Sequence, residues 1–167
     1  MAKKKQEPFQ FEKAVELEAA DRRLLQLLQC DNSLTNLQLA EKAHLSPPTC
    51  LRRVRRLQEQ GIIVGNVALL DPFKVGRGLI VLVEVVLEKM QKPYLVAFEN
   101  KVRSDPEVTQ CYAISGDTDY LLIVHVADMA AYLRLIRRIC IIDPNIRTFR
   151  SLFALERTKF TTEISLN

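Results

Sequence analysis

The sequence predicts an α+β protein in which three helices precede a domain built from four strands and two helices. Apolar residues recur at helical spacing over residues 17–61, whereas strand-like and helix-like segments alternate over residues 78–155. The chain has 167 residues, of which 48% are hydrophobic and 26% charged, so it is long enough to bury a core and too apolar to be wholly disordered.

The first 16 residues form a polar extension, to which we assign no function. Its basic start is followed by polar residues instead of an apolar core, which excludes a secretory signal. The longest apolar run, Leu79–Leu87, contains Glu84 and is about half as long as a membrane span. Four widely spaced cysteines without a Cys-x-x-Cys motif indicate a reduced cytoplasmic protein with no metal, no cofactor and no membrane partner.

Residues 17–66 form the predicted helical domain, whose helices are Leu17–Gln29, Thr35–Ala43 and a third from Ser46 to the cap Gly61. Thr35 with Gln38 three residues later is the capping-box pattern of a helix start. Pro47 and Pro48 fit the first turn of the third helix, where their missing amide donors have no intrahelical partner.

The third helix carries a local excess of positive charge. Residues 47–60 contain four arginines and a single acid, Glu59. With Val54 at the centre of the inner face, a helical projection places Cys50 and Leu57 inward, Thr49, Arg52 and Arg56 outward, and Arg53 and Arg55 on the flanks. Arginine neutralises phosphate and binds guanine through two hydrogen bonds, and a short turn joins this helix to a capped one. A helix-turn-helix is therefore predicted, with a solvated charged face as the alternative.

The second part begins with a linker, residues 67–77, in which we expect a strand at Val67–Leu70. Residues 78–167 then form a ferredoxin-like βαββαβ domain, a four-stranded antiparallel sheet with both helices on one face. Its predicted elements are strands Gly78–Leu87, Val108–Ser115, Tyr120–Val126 and Ile146–Leu155, and helices Leu95–Arg103 and Met129–Ile141. The first strand is apolar on both faces although two helices cover only one, which predicts a homodimer through the other face.

Several segments of the sequence resemble the Lrp/AsnC (leucine-responsive, or feast/famine) family of transcriptional regulators over roughly residues 17–160. The matching segments are Leu17–Leu25, Thr35–Ala40, Leu45–Leu57, Gly61–Ile63, Ala68–Pro72, Ser115–Leu122 and Val126–Met129. The chain departs from the family in its long N-terminal extension. It also has His44 where a small residue is usual, and Pro48-Thr49 where the order Thr-Pro is commoner.

The resemblance implies a winged helix-turn-helix, with its motif at about Asn36–Arg55, that binds double-stranded DNA. It also implies a C-terminal ferredoxin-like (RAM) domain that forms dimers, tetramers or octamers and binds an amino acid or related metabolite between dimers. The residues expected to contact DNA are Asn36, Ser46, Pro47, Thr49, Arg52, Arg53 and Arg56. Those expected to contact the effector are Gly116, Asp117, Thr118, Asp119, Tyr120, Leu152, Phe153 and Ala154.

The Gly116–Asp119 segment also fits a simple hairpin turn, since Gly and Asp are common turn residues. As an effector loop, its amides suit a carboxylate, Asp117 or Asp119 suits an α-ammonium group, and Tyr120 would form a pocket wall. We expect His125 to be a packed core residue.

Two other functions compete with an effector-responsive regulator. One is an architectural DNA-binding protein without an effector, which would have the same charge and helix-turn-helix. The other is an enzyme on the same scaffold, like the relatives that decarboxylate sirohaem-type tetrapyrroles. That function is disfavoured because His125 is the only histidine in the C-terminal domain and no nucleophile–base pair is evident.

Overall fold

The computed structural model of the protein describes residues 15–166. Most of the N-terminal extension, residues 1–14, therefore lies outside the described residues. The described residues fall into two compact units. The first unit contains the residues up to Val67 and those from Phe160 onward, and the second is Ala68–Lys159. None of the helices within residues 15–166 has the length and apolar character needed to cross a membrane.

The first unit contains α1 (Ala19–Cys30), α2 (Asn36–Ala43) and α3 (Pro47–Glu59). At the start of α2, Thr35 accepts from the Gln38 amide while the Gln38 side chain accepts from the Thr35 amide, so the capping box is confirmed. At the end of α3, Gly61 adopts a φ of 71°, and the amides of Gly61 and Ile62 donate to Gln58 and Leu57. These two bonds form a Schellman motif, as expected of a glycine that follows a helix.

The turn between α2 and α3 has the same motif without a glycine. The amides of His44 and Leu45 donate to the carbonyls of Glu41 and Ala40 at 3.1 and 2.9 Å. His44 has a φ of 56°, the left-handed conformation that its Cβ disfavours. Small buried side chains hold the three helices together in this unit, namely Leu24, Leu39, Ala40, Ala43 and Cys50.

The last described residues lie along α1. Gln29 makes two hydrogen bonds to the backbone of Ile164, at 2.7 and 3.0 Å, and Arg22 donates to the Leu166 carbonyl at 2.7 Å. Residues 160–166 thus belong with the helical unit, although the sequence placed them in the C-terminal domain.

The second unit contains β1 (Leu79–Leu87), α4 (Lys92–Ser104), β2 (Val108–Ala113), β3 (Tyr120–Val126), α5 (Met129–Ile136) and β4 (Ile146–Phe153). The strands form one antiparallel sheet in the order β2-β3-β1-β4, which is the predicted ferredoxin-like arrangement. After α5, the chain continues as a π-helical turn over Arg137–Ile141.

Alternate residues of the strands face a single apolar core beneath α4 and α5. Val81, Val83 and Val85 of β1 are fully buried there, and Phe98 of α4 and Leu135 of α5 pack into the same core. On the other sheet face, Leu82 and Val86 are half-buried, as is His125 opposite Ile80. His125 therefore lies on the open face of the sheet and not in the core, and that prediction was wrong.

The strand expected at Val67–Leu70 is also absent from the described residues. This segment has no regular secondary structure, and none of its amides forms a backbone ladder within the described part of the chain. Val67 and Leu70 have exposed fractions of 79% and 68%. An apolar segment without a neighbouring strand cannot satisfy the hydrogen-bonding pattern that defines a sheet.

Candidate nucleic-acid interface and effector loop

The corner between α2 and α3 is fixed by polar side chains that were expected to contact DNA. Asn36 donates to the Pro47 carbonyl at 3.0 Å and so connects the start of α2 to the start of α3. The hydroxyls of Ser46 and Thr49 lie 2.8 Å apart. Pro47 is exposed beside them. These side chains therefore shape the corner, and their contact with DNA stays a prediction.

Arg53 and Arg56 bind an acid on α1. Asp21, which is only 1% exposed, accepts from Arg53 at 3.0 Å and from Arg56 at 2.5 Å. Glu18 lies 2.9 Å from Arg53, and its hydrogen bond, followed by that of Asp21, raises the pKa of the Arg53 guanidinium. Arg56, which was expected to face outward, is 42% exposed, but its guanidinium is also bound to α1.

The exposed face of α3 is rotated from the one that the helical projection gave. A shallow groove there is lined by Pro48, Leu51, Arg52, Arg55, Arg56 and Glu59. Arg52 and Arg55 are exposed, and Leu51 has an exposed fraction of 41%. Of the three arginines selected from the sequence, only Arg52 is free of the Asp21 cluster and lies fully on this face.

Leu51 and Arg55 share this face although neither was selected from the sequence. The missing signal was Asp21, which falls in line with Leu17, Leu24 and Leu28 on the inner stripe of α1. A carboxylate on an apolar stripe requires a cationic partner, and that partner comes from the neighbouring helix.

The Gly116–Tyr120 segment connects β2 to β3. Gly116 has a φ of 126°, a conformation that other residues rarely adopt, and Gly116 and Asp117 are exposed. The Asp119 amide donates to the Val85 carbonyl at 3.0 Å, and its carboxylate accepts from the Leu87 amide at 2.7 Å. Asp119 thus holds the loop against the end of β1, whereas Asp117 faces solvent beside the half-buried Thr118.

Tyr120 is a core residue and not the exposed pocket wall that we expected. It is 3% exposed, its ring lies 4.8 Å from that of Phe98, and its hydroxyl donates to Glu99 at 3.0 Å. Burial, and secondarily the hydrogen bond to Glu99, raises the pKa of this hydroxyl. The parity of the strand explains the difference, because Tyr120 shares a face with Leu122 and the other core residues of β3.

The remaining expected effector residues lie towards the other end of the sheet. Val85 pairs with Tyr120, whereas Val81, four residues earlier in β1, pairs with Phe153. This offset corresponds to roughly 13 Å along the strand. Leu152 is on the open face, but Phe153 packs edge-on against Tyr132, and the Ala154 amide donates to Ile80. One copy of the chain therefore does not bring the two sets together.

Both units match known protein families. Residues 17–64 match a family model described as a winged helix-turn-helix DNA-binding domain, and residues 80–164 match one described as the Lrp/AsnC ligand binding domain. The Leucine-responsive regulatory protein of Escherichia coli is 37% identical over 144 residues, which are 86% of this chain and 88% of that protein.

Solved structures share the fold. An AsnC family transcriptional regulator from Agrobacterium tumefaciens is 41% identical, with a TM-score of 0.85 over 90% of this chain and 97% of its own. A transcriptional regulator from Neisseria meningitidis, solved as a complex with L-Met, is 36% identical, with a TM-score of 0.86 over 91% of this chain and 98% of its own.

Proposed function

Because this chain belongs to the Lrp/AsnC family of transcriptional regulators, with a DNA-binding and a ligand-binding domain, we propose that it binds specific sites on double-stranded DNA and responds to an amino acid or a related small metabolite. It does so in the cytoplasm as a homodimer or a larger assembly of dimers.

The exposed basic face of α3 is the observation that carries the DNA-binding part of the proposal. The capping box begins α2, one Schellman motif forms the turn between α2 and α3, and the other ends α3. The Arg52 side chain therefore lies on a rigid element. A helix of this kind fits the major groove, where a guanidinium binds phosphate or the edge of guanine.

Binding of the full chain to a duplex, selected from a random library with the parent protein, tests this part. Affinity should fall steeply with salt, because each phosphate contact releases counterions. Arg52→Ala should weaken binding at least tenfold if it binds a base, or flatten the salt dependence if it binds phosphate. Equal binding by parent and variant at every salt concentration would remove Arg52 from the interface.

The open face of the sheet supports the homodimer. Ile80, Leu82 and Leu121 lie on it with Leu152, which is 42% exposed, and a Glu84–Arg150 ion pair at 2.7 Å lies between them. An apolar sheet face with one central ion pair is covered most simply by a second copy of itself.

Sedimentation at low micromolar concentration should show dimers or larger species and no monomer. Leu82→Glu should dissociate or precipitate the protein, because it would bury an unpaired charge. The matched change on the exposed helix surface, Leu133→Glu, should preserve the assembly. A well-folded parent monomer would contradict the homodimer.

The amino-acid response is supported by two relatives: the Escherichia coli protein is named leucine-responsive, and the Neisseria regulator was solved with L-Met. In this chain, Gly116 and Asp117 present exposed amides and a carboxylate, which suit the two charged groups of a zwitterion. Since Leu152 lies far along the sheet from this loop, the complete pocket would require more than one copy of the chain.

A thermal-shift screen against the twenty amino acids and common 2-oxo acids identifies the ligand through its stabilising effect. DNA affinity with the identified ligand titrated in should change for the parent, and Asp117→Ala should reduce that change while keeping ligand-free DNA binding. Asp119→Ala is the control for a structural effect, because it removes the bond to Leu87. If no ligand at millimolar concentration stabilises the parent, the architectural function replaces the effector response.

A further inference from the structure

The four arginines of α3 divide into two pairs with different environments. Arg53 and Arg56 bind Asp21, and the Nε atoms of both are buried without a hydrogen-bond partner in the described part of the chain. Arg52 and Arg55 are exposed and border the groove together with Pro48, Leu51 and Glu59, and Arg56, which is 42% exposed, lines it while bound to Asp21. Because all four side chains have the same chemistry, the two pairs differ only in where they lie on α3.

We infer that α3 reads DNA through Leu51, Arg52 and Arg55, and that Asp21 positions this surface by retaining Arg53 and Arg56. This inference rests on the proposed DNA-binding function and assigns its specificity. Arg52 and Arg55 supply contacts to guanine or phosphate, and Leu51 contacts the methyl group of thymine.

The spacing of these residues supports a common reading surface. Leu51 and Arg52 lie three and four residues after Pro48, and Arg55 lies four and three residues after them, so these positions follow one face of the helix. Leu51 is an exposed apolar residue beside two cations, where solvation alone favours a polar side chain. The thymine methyl is the apolar group that the major groove presents, and guanine lies within reach of a neighbouring arginine.

Asp21 fixes the rotation of α3 about its own axis. Hydrogen bonds between charged groups are directional, and the two bonds reach side chains almost one turn apart on α3. If α3 turned so that Arg53 and Arg56 faced the DNA, the carboxylate of Asp21 would remain buried and unpaired. The acid therefore holds one set of arginines in charged hydrogen bonds and leaves the other set available.

The test uses the full chain and a duplex of about 25 base pairs selected from a random library by the parent protein. The slope of log affinity against log salt is measured for Arg52→Ala and Arg55→Ala, and for Arg53→Gln and Arg56→Gln, which keep a donor for Asp21. Each of the first two should lower the slope by about 1 or lose at least about tenfold in affinity. The second two should stay within about twofold of the parent at an unchanged slope.

A second measurement tests Leu51 by replacing every thymine of the duplex with deoxyuridine, which lacks the methyl group. The parent should lose about fourfold or more in affinity, as expected for one buried methyl-sized group. Leu51→Ala should bind more weakly than the parent and should not respond to this replacement. Leu37→Ala, at another exposed leucine of the same unit, is the matched control and should respond as the parent does.

Asp21→Asn tests whether Asp21 positions this surface, through effects on DNA binding that a loss of stability alone would not produce. Without the carboxylate, Arg53 and Arg56 are released, so the salt slope should become steeper and the preference for the selected over a scrambled duplex should fall. If the variant does not fold, the parent protein provides a second measurement. The Nε–H groups of Arg53 and Arg56 should exchange slowly with solvent, as followed by NMR, and this slow exchange should persist when DNA is added.

Three results would overturn the assignment: a slope lowered as much by Arg53→Gln or Arg56→Gln as by Arg52→Ala, deoxyuridine sensitivity retained in Leu51→Ala, or loss of the exchange protection on DNA binding. A parent protein that binds no duplex at low salt would instead overturn the proposed function, and this inference with it.

Discussion

The two units of the molecule differ in the size of their apolar cores, although both contain a buried acid bound by arginine: Asp21 in the first unit and Asp105, which binds Arg138, in the second. In the second unit, α4 and α5 cover the sheet through a continuous apolar core. In the first, a smaller core is supplemented by Asp21, which binds two arginines of α3. Apolar packing is largely non-directional, whereas charged hydrogen bonds fix an orientation. In the first unit the acid binds two side chains of the same helix, so its hydrogen bonds constrain the rotation of α3 about its own axis.

The largest effect is expected where apolar packing dominates. Leu122 of β3 is fully buried, so Leu122→Ala should lower the free energy of unfolding by about 2–5 kcal/mol through lost burial and a residual cavity. Chemical denaturation of parent and variant measures this loss. Leu133→Ala, on the exposed surface of α5, should cost no more than about 0.5 kcal/mol, and equal costs would contradict burial as the cause.

The ion-pair cluster should contribute less, because Arg56 is 42% exposed and recovers hydration when its partner is removed. Asp21→Ala should lower the free energy of unfolding by about 2 kcal/mol, measured by denaturation. Glu18→Ala removes the exposed acid of the same cluster and should cost at most about 1 kcal/mol. If the two variants lose the same stability, burial of Asp21 does not set its contribution.

A gain in stability is expected at the turn of the helix-turn-helix. His44→Gly should raise the free energy of unfolding by about 0.5 kcal/mol, because relief of the left-handed backbone outweighs the greater entropy of the unfolded glycine. Thermal melts of parent and variant measure this gain. His44→Ala keeps the Cβ and should bring no comparable gain in stability. A destabilised glycine variant would show that the imidazole itself contributes.

The smallest effect depends on pH and concerns the open face of the sheet. Burial, and secondarily the charge of Arg157, lowers the pKa of His125 below its ordinary value near 6.5. Between that value and the lower pKa in the fold, the unfolded chain binds more protons, so stability should fall as pH decreases below about 6.5. His125→Gln should reduce this dependence in melts between pH 5 and 7, whereas His44→Asn should keep it.

Local patterns in the sequence were sufficient for much of the fold. The Thr35–Gln38 capping box and the Gly61 cap each depend on residues within a few positions, and the alternation in β1 defines both faces of its strand. The alternation of residues in β3 also predicts a buried Tyr120, because Tyr120 lies on the same strand face as Leu122.

Contacts between distant segments were not accessible in this way. Asp21 lies 32 positions from Arg53, and a helical projection of α3 alone gives no information about the charge of the neighbouring helix. A projection of α3 alone therefore missed the ion pairs that hold Arg53 and Arg56. The pairing of Gln29 with Ile164, 135 positions away, left no periodic signal in either segment.

That pairing has a consequence for the order in which the protein is made. The helical unit is discontinuous along the chain, since the backbone of residues 160–166 forms hydrogen bonds with side chains of α1. About 100 residues separate this segment from α3, and a ribosome adds them in roughly 5–20 s. During synthesis, the nascent helix-turn-helix therefore emerges well before its last contacts exist, and it acquires them only after the whole sheet domain has been translated.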